Sequence, residues 1–347
     1  MIRRSNIVYC TALLLVVTGL STLLTAFARF DPSSTSMSPM SITHELFYLA
    51  PPPAPATGPP KYYSEPQVKN QKGKGWHGLH YDKRYFKRDI SKAEREERIR
   101  MMLHAWLQFN EDYGLQTWIA HGTLLGWWWN GQPMPWDVDV DVQMFVKTMA
   151  ELAKHHNGTT YTYRHSDGTT RKYYIDINPY FIYRTKGNGL NVIDGRFVEQ
   201  ETGIYIDLTA LAEVDPVGHP NIISCKNNHK YLIDDIIPLR QATFMGRSVL
   251  IPYEYEKVLM KEYSRRALTN GRFEGYAFSV ELQKWITIEQ FNQEHRPWSD
   301  VGRGPVTAPN DRLSVTVKES QLKVPGARAL SSRPTAEEQA QKPNIRN

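Results

Sequence analysis

Asp137, Asp139 and Asp141 stand at alternate positions in MPWDVDVDVQM, residues 134–144. Strand side chains alternate faces. The three carboxylates would therefore share one side, with Val138, Val140 and Val142 packing inward on the other. Adjacent acids would then lie ~7 Å apart and repel by roughly 2 kcal/mol per pair at an effective dielectric of ~20. Such a cluster is either a solvated edge charged against aggregation or a seat for a divalent cation. A guarding edge would more naturally use Lys or mixed signs. Three acids with no His or Cys partner suit Mg²⁺ or Mn²⁺, hard ions that share oxygen ligands with substrate phosphates, rather than zinc.

Asp207 lies in GIYIDLTAL, residues 203–211, a second strand pattern in which Ile204, Ile206 and Leu208 alternate with Tyr205 and Asp207. A lone acid in so apolar a strand is costly to bury without a partner, and the same metal site would supply one. Asp176 and Asp194 are weaker candidates for that role. Arg196 either grips a phosphate with its two-pronged guanidinium or belongs to a structural ion pair. In HGTLLGWWW, Gly122 and Thr123 fall where a strand would turn into a helix. That junction presents backbone N–H groups and the positive end of a helix dipole to a phosphate, with Thr123 capping the helix; the alternative is a plain glycine turn.

Other elements must hold these residues in place. LQTWIA, residues 115–120, reads as the strand before that turn, and Pro133 and Pro135 end the helix after it, so the aspartate strand begins at about Trp136. A packing helix opens at Ser91 and Glu94 with a capping box. It runs through Ile99, Met102, Leu103 and Trp106 at helical spacing and stops at Gly114. His104 and Trp106 read as structural. Trp129 is either core or a stacking surface. Of the two cysteines, Cys10 and Cys225, the second reads as a small buried hydrophobe, and no disulfide framework or Cys-based zinc site can be built from the pair.

The net charge of +6 is unevenly spread. Residues 1–88 hold 11 Lys/Arg against 4 Asp/Glu, residues 301–347 hold 8 against 4, and residues 89–300 hold 23 against 28. The folded middle is acidic and offers no basic face for nucleic acid. Residues 7–28 form an uncharged apolar run of 22 residues behind Arg3 and Arg4. They read as a signal-anchor long enough to span a bilayer, in preference to a cleaved signal peptide ending at Ala26-Phe27-Ala28. The expected organisation is a cytosolic tail 1–6, an anchor 7–28, a Pro-rich stem 29–88, a catalytic domain 89–300 and a disordered tail 301–347. Asn157-Gly158-Thr159 is a glycosylation sequon and agrees with entry into the secretory pathway.

The segment HGTLLGWWWNGQPMPWDVDVDVQ resembles the LicD/fukutin family of phosphosugar and phosphocholine transferases, which carry a Gly-Thr-Leu-Leu-Gly segment followed by Pro-Trp-Asp and further alternate aspartates. DGRFVEQETGIYIDLTAL and PLRQATFMGRSVLIPYEYEKVLMKEYS look like its downstream blocks, and the likeness covers roughly residues 95–280. Trp127 to Trp129 and Asn130 point to the fungal mannosylphosphate-transfer branch. The resemblance implies an α/β (α+β) nucleotidyltransferase-like mixed sheet flanked by helices, behind one transmembrane helix. It implies Mg or Mn held by Asp137, Asp139, Asp141 and Asp207, with Asp139, Asp141 and Asp207 catalytic and Gly122, Thr123 and Arg196 on the donor phosphate. The implied reaction moves a sugar phosphate, expected to be mannose-1-phosphate from GDP-mannose, onto a glycan hydroxyl. A regulator of such a transferase and an ordinary lumenal Asp-x-Asp glycosyltransferase are the alternatives. The expected setting is the Golgi membrane, single-pass type II with a lumenal domain. Expected partners are a nucleotide-sugar donor, a glycan acceptor and other glycosyltransferases. One departure stands out: many members carry Arg where this chain has Trp129, which hands that phosphate contact to another group, Arg196 being the candidate.

Overall fold

The computed structural model describes residues 47, 49, 59–69, 76–184, 191–213, 215–294 and 301, all within a compact unit spanning His44–Asn347. A small antiparallel pair, β1 (Gln67–Lys69) and β2 (Trp76–Gly78), comes first. Helix α1 (Lys92–Tyr113) follows as the cap residues dictate: Ser91 accepts from the Glu94 N–H, and Gly114 closes the helix in the left-handed region at φ 64°. The capping box is half made, because the Glu94 carboxylate pairs with Arg88 and Arg98 instead.

Next come β3 (Trp118–Ile119), α2 (His121–Asn130), β4 (Val140–Phe145), α3 (Val146–His156), β5 (Thr160–Arg164), β6 (Thr170–Ile177), β7 (Gly195–Glu199), β8 (Tyr205–Glu213), β9 (Ile222–Ser224) and β10 (Lys230–Leu232). These strands make an eight-stranded sheet among the described residues, in the order β10-β9-β8-β7-β6-β5, with β4 beside β8 and β3 beside β4. Only β4 and β8 run parallel; the other pairings are antiparallel. The sheet is mixed and the class is α/β, as expected. Helix α4 (Ile233–Ile236), the hairpin β11 (Arg240–Phe244) and β12 (Arg247–Ile251), and α5 (Tyr255–Thr269) follow. A three-stranded sheet of β13 (Arg272–Phe273), β14 (Tyr276–Ser279) and β15 (Lys284–Thr287), then α6 (Ile288–Gln293), completes the described chain.

Pairing register assigns the two faces of the main sheet, because directly opposed residues share a face. Ile175, Phe197, Ile206 and Val140 line one face in a row across β6, β7, β8 and β4. All four are buried, and Trp106 of α1 packs on Phe197 with ring centroids 5.2 Å apart. That is the core side. The opposite face carries the row Asp176, Arg196, Asp207 and Asp141.

Two expectations need correction. Part of the stretch read as stem belongs to the domain: Tyr63 and Tyr81 are buried, and Phe47 lies fully buried with its ring 4.6 Å from that of Phe145. The aromatic residues interspersed among the prolines supply apolar area that the proline count hides. The Golgi, single-pass type II placement is also overturned, since among the described residues no helix is long and apolar enough to cross a membrane. The anchor read at residues 7–28 lies outside the described residues, as does most of the tail 301–347.

Candidate functional site

The site is built around the start of α2 and the adjoining ends of β4 and β8. The strand starts at Val140, not Trp136: Pro135 and Trp136 form a turn closed by the Asp137 N–H donating to the Met134 carbonyl at 2.9 Å. Of the three alternate aspartates only Asp141 is a strand residue. Its backbone is pinned on both sides. Its N–H donates to the Thr123 hydroxyl at 2.9 Å, and its carbonyl accepts from the Ala120 N–H at 3.0 Å. Thr123 therefore does not cap α2; it ties the first turn of the helix to the aspartate strand, and Ala120 is the N-cap without a side-chain bond.

Asp141 stands beside Asp207 in the parallel register of β4 and β8. Neighbouring strands lie about 4.8 Å apart, so both acids stand on one face of the sheet. Asp137 comes in from the turn and lies on the start of α2. A Cβ added to Gly122 would meet its Oδ2 at 2.8 Å, so only glycine leaves room for the carboxylate at the positive end of that helix. His80, from the stretch before α1, reaches Asp139 with Nδ1 to Oδ2 at 3.3 Å.

The electrostatics follow from burial among like charges. Burial, then the Asp139 charge, pushes Asp137 up to about 7. Burial and the same charge hold Asp141 well above the carboxylate range. Burial takes Asp207 to about 6 against the pull of Arg196. Asp139 goes the other way: burial raises it, but the hydrogen bonds from His80 and Asp137 outweigh that and leave it low. His80 is raised in turn, chiefly by its bond to Asp139. A hard divalent ion would suit this donor set in kind, since every group is a carboxylate and the charges are too many for the cations present.

Arg196 belongs to the ion-pair alternative. Its Nε donates to Asp207 Oδ1 at 3.0 Å and its Nη2 to Glu65 at 2.9 Å, between the rings of Tyr63 and Tyr205. Asp176 is held by Arg84 and the Tyr62 hydroxyl, and Asp194 by Arg184 and Lys226. Both are structural carboxylates away from the cluster. Asn157 is exposed at the end of α3, with its Oδ1 accepting from the Ile177 N–H.

A cavity of about 640 Å³ opens beside Gly122 and Asp137. Trp129, Trp136, Phe273 and Trp285 wall it, and Arg266 and Tyr263 reach it from α5. Trp129 is core and wall at once: fully buried, with its indole N–H on the Ala267 carbonyl at 3.1 Å. Ser264, also on the rim, breaks α5 with φ 67° and ψ 164°. Strained non-glycine backbone of this kind gathers at functional sites.

Sequence reasoning missed His80, Glu65, Arg266 and Tyr263. Tyr263 stood in a segment already singled out (KEYS), but nothing local marks which of its residues face the site. His80 and Glu65 lay in the stretch read as stem.

Residues 114–254 match the family described as LicD/FKTN/FKRP, nucleotidyltransferase domain. Two Saccharomyces cerevisiae proteins are similar. Mannosyltransferase regulator 4 is 37% identical over 154 residues, which is 44% of this chain and 13% of that protein. Mannosyltransferase regulator 14 is 34% identical over 139 residues, 39% of this chain and 15% of that protein. The chain therefore matches less than a sixth of the length of these relatives.

Proposed function

We propose that the chain, whose residues 114–254 match the LicD/FKTN/FKRP nucleotidyltransferase domain, transfers a sugar phosphate to a glycan hydroxyl with the help of a divalent ion. The observation that carries this reading is the register of Asp141 with Asp207, beside a helix start whose first turn is bonded to the Asp141 backbone. Asp139, Asp141 and Asp207 would hold Mg²⁺ or Mn²⁺, with Asp137 assisting from the helix start. The ion supplies charge neutralisation of a diphosphate and of the departing nucleotide.

The donor suggested is GDP-mannose and the acceptor a mannan or N-linked glycan. The aromatic walls of the cavity suit a base or sugar ring, and Arg266 takes the phosphate contact that Trp129 gives up. The acceptor oxygen attacks the phosphorus that bears mannose, the bond from that phosphorus to the oxygen bridging it to GMP breaks, and the acceptor proton passes to Asp207.

A second reading is a non-catalytic regulator of a mannosylphosphate transferase. The observation favouring it is that both relatives bear the name mannosyltransferase regulator. One assay separates the readings. The full-length protein is incubated with Mn²⁺, a mannose oligosaccharide and a panel of nucleotide sugars and CDP-alcohols, and the released nucleotide is identified. GMP from GDP-mannose, lost in Asp141→Asn, supports transfer of mannose phosphate. Release of GDP makes it an ordinary glycosyltransferase. No nucleotide from any donor, together with stimulation of a separate transferase, makes it a regulator.

A further inference from the structure

At the start of α2 lies a second cluster, of different chemistry. His121 is the first residue of α2, His229 closes the β9–β10 turn, and Glu262 comes from α5. One ligand atom from each lies within 4.8 Å of the other two. Among the described residues this is the group drawn that close, and it contains two imidazoles. The side chains of His121 and Glu262 are 11% and 3% exposed.

We propose that His121, His229 and Glu262 bind a divalent first-row transition ion, Zn²⁺ fitting best, at a site separate from the aspartate cluster. Two imidazoles and a carboxylate form a borderline donor set that selects zinc-like ions over Mg²⁺. Ligands at ~2.0–2.1 Å from a tetrahedral ion lie about 3.3 Å apart. His121 Nδ1 and Glu262 Oε2 now stand 2.7 Å apart, so an entering ion would part them towards that value. The proton now between His121 and Glu262 leaves when the ion enters.

The Glu262 and His229 side chains are held from behind, as ligands usually are. Gln143 accepts from the Trp118 indole with its oxygen, so its amide N–H donates to His121 Nε2 at 3.1 Å; with an ion on His121 Nδ1, that contact requires the imidazole to lose its second proton or Gln143 to turn away. The Tyr231 hydroxyl donates to the other oxygen of Glu262. The buried thiol of Cys225 lies 3.6 Å from Nδ1 of His229. The backbone of His121 sits at φ 48°, an uncommon value for a non-glycine residue, and a bound ion gives that conformation a reason. The ion would join three segments distant in sequence and fix the residue directly before Gly122 and Thr123. A plain proton-bridged pair of His121 and Glu262 is the competing explanation, and it makes no use of His229.

The test uses the full-length chain, stripped with a chelator and titrated with Co²⁺. Co²⁺ in a four-coordinate site containing imidazole absorbs strongly in the visible, whereas Co²⁺ among carboxylates and waters absorbs weakly. One equivalent with strong bands is expected in the parent and in Asp141→Asn, with affinity at least tenfold weaker in His229→Ala and His229→Gln. Absence of strong bands in the parent, bands unchanged in both His229 variants, or their loss in Asp141→Asn overturns the proposal. Should both His229 variants misfold by circular dichroism, zinc-edge X-ray absorption of the parent decides: two imidazoles in the first shell support it, and oxygens alone overturn it. The Asp141→Asn arm keeps this site distinct from the aspartate chemistry, since either can fail without the other.

Discussion

Asp194 is a buried acid and Asp141 a half-buried one in the main β-sheet region, and the protein treats them in opposite ways. Asp194 is fully buried, yet its carboxylate meets Arg184 Nη1 and Lys226 Nζ at 2.9 Å and accepts the Ala210 N–H at 2.8 Å. Asp141 shares its surroundings with Asp137, Asp139 and Asp207, and among the described residues neither it nor Asp137 has an ion-pair partner. Fold stability explains the first arrangement. It does not explain the second, because a buried charge without compensation opposes folding. An arrangement that raises three carboxylates at once calls for a use outside the fold, and the proposed divalent ion with its phosphate ligand would be that use.

The largest expected effect breaks the comparison on the structural side. Asp194→Ala leaves Arg184 and Lys226 buried without their anion and should cost about 3–5 kcal/mol, enough to abolish cooperative thermal unfolding in a marginal domain. Asp141→Asn should do the reverse in the absence of metal. It removes a charge the fold resists, and its melting temperature should rise by roughly 2–4 °C, the shift about 1 kcal/mol produces in a domain this size. A fall of similar size in calorimetry would show that Asp141 is structural like Asp194.

The titration of the cluster sharpens the same contrast. Asp137 and Asp207 have folded values of about 7 and about 6, above the ordinary carboxylate value near 4 that holds in the unfolded chain. The folded state therefore binds more protons than the unfolded one between those limits. The contribution of these two groups to metal-free stability is fully present below about 4 and is lost as pH rises through about 6 and 7. Mn²⁺ requires the deprotonated groups, so its affinity should climb over the same window. Thermal unfolding at pH 5, 6, 7 and 8 should thus slope downward with a chelator and flatten or reverse with saturating Mn²⁺. Identical slopes in both conditions would remove the ion from these carboxylates.

The sequence displayed the ingredients whose signals are local. Ser91 and Gly114 bracketed α1 because caps are read within a few residues. The alternation in 203–211 revealed β8, and the Val/Asp alternation gave the facing of Val140 against Asp141. What stayed hidden depends on long-range contacts. Asp207 is met by Arg196 from the neighbouring strand and, through it, by Glu65, 131 positions upstream of Arg196. His80 reaches Asp139 from a stretch whose prolines suggested no packing. The role of Thr123 was misread for the same reason: a helix-start threonine looks like a cap, but the Asp141 N–H it accepts arrives from 18 residues away.

The smallest expected effect separates two glycines of one helix. In α2, a Cβ on Gly126 would meet the Gln132 carbonyl oxygen at 2.5 Å and the Met134 nitrogen at 3.2 Å. That obstacle is backbone, so Gly126→Ala should cost stability by forcing the chain after α2 outward. A Cβ on Gly122 meets instead a side chain, the Asp137 carboxylate, which can swing aside. Alanine also favours a helix over glycine by up to about 1 kcal/mol, so Gly122→Ala should leave the melting temperature nearly unchanged. The displaced Asp137 no longer rests at the helix start, and Mn²⁺ affinity should fall about 10- to 100-fold, the range for disturbing a metal site through its supporting groups. Isothermal titration with Mn²⁺ beside thermal unfolding reads both quantities. If Gly122→Ala binds Mn²⁺ like the parent, Asp137 is a bystander to the ion and the site reduces to Asp139, Asp141 and Asp207. If it unfolds like Gly126→Ala, the glycine serves the fold alone, and the contrast between a satisfied acid and a waiting one no longer extends to the helix start.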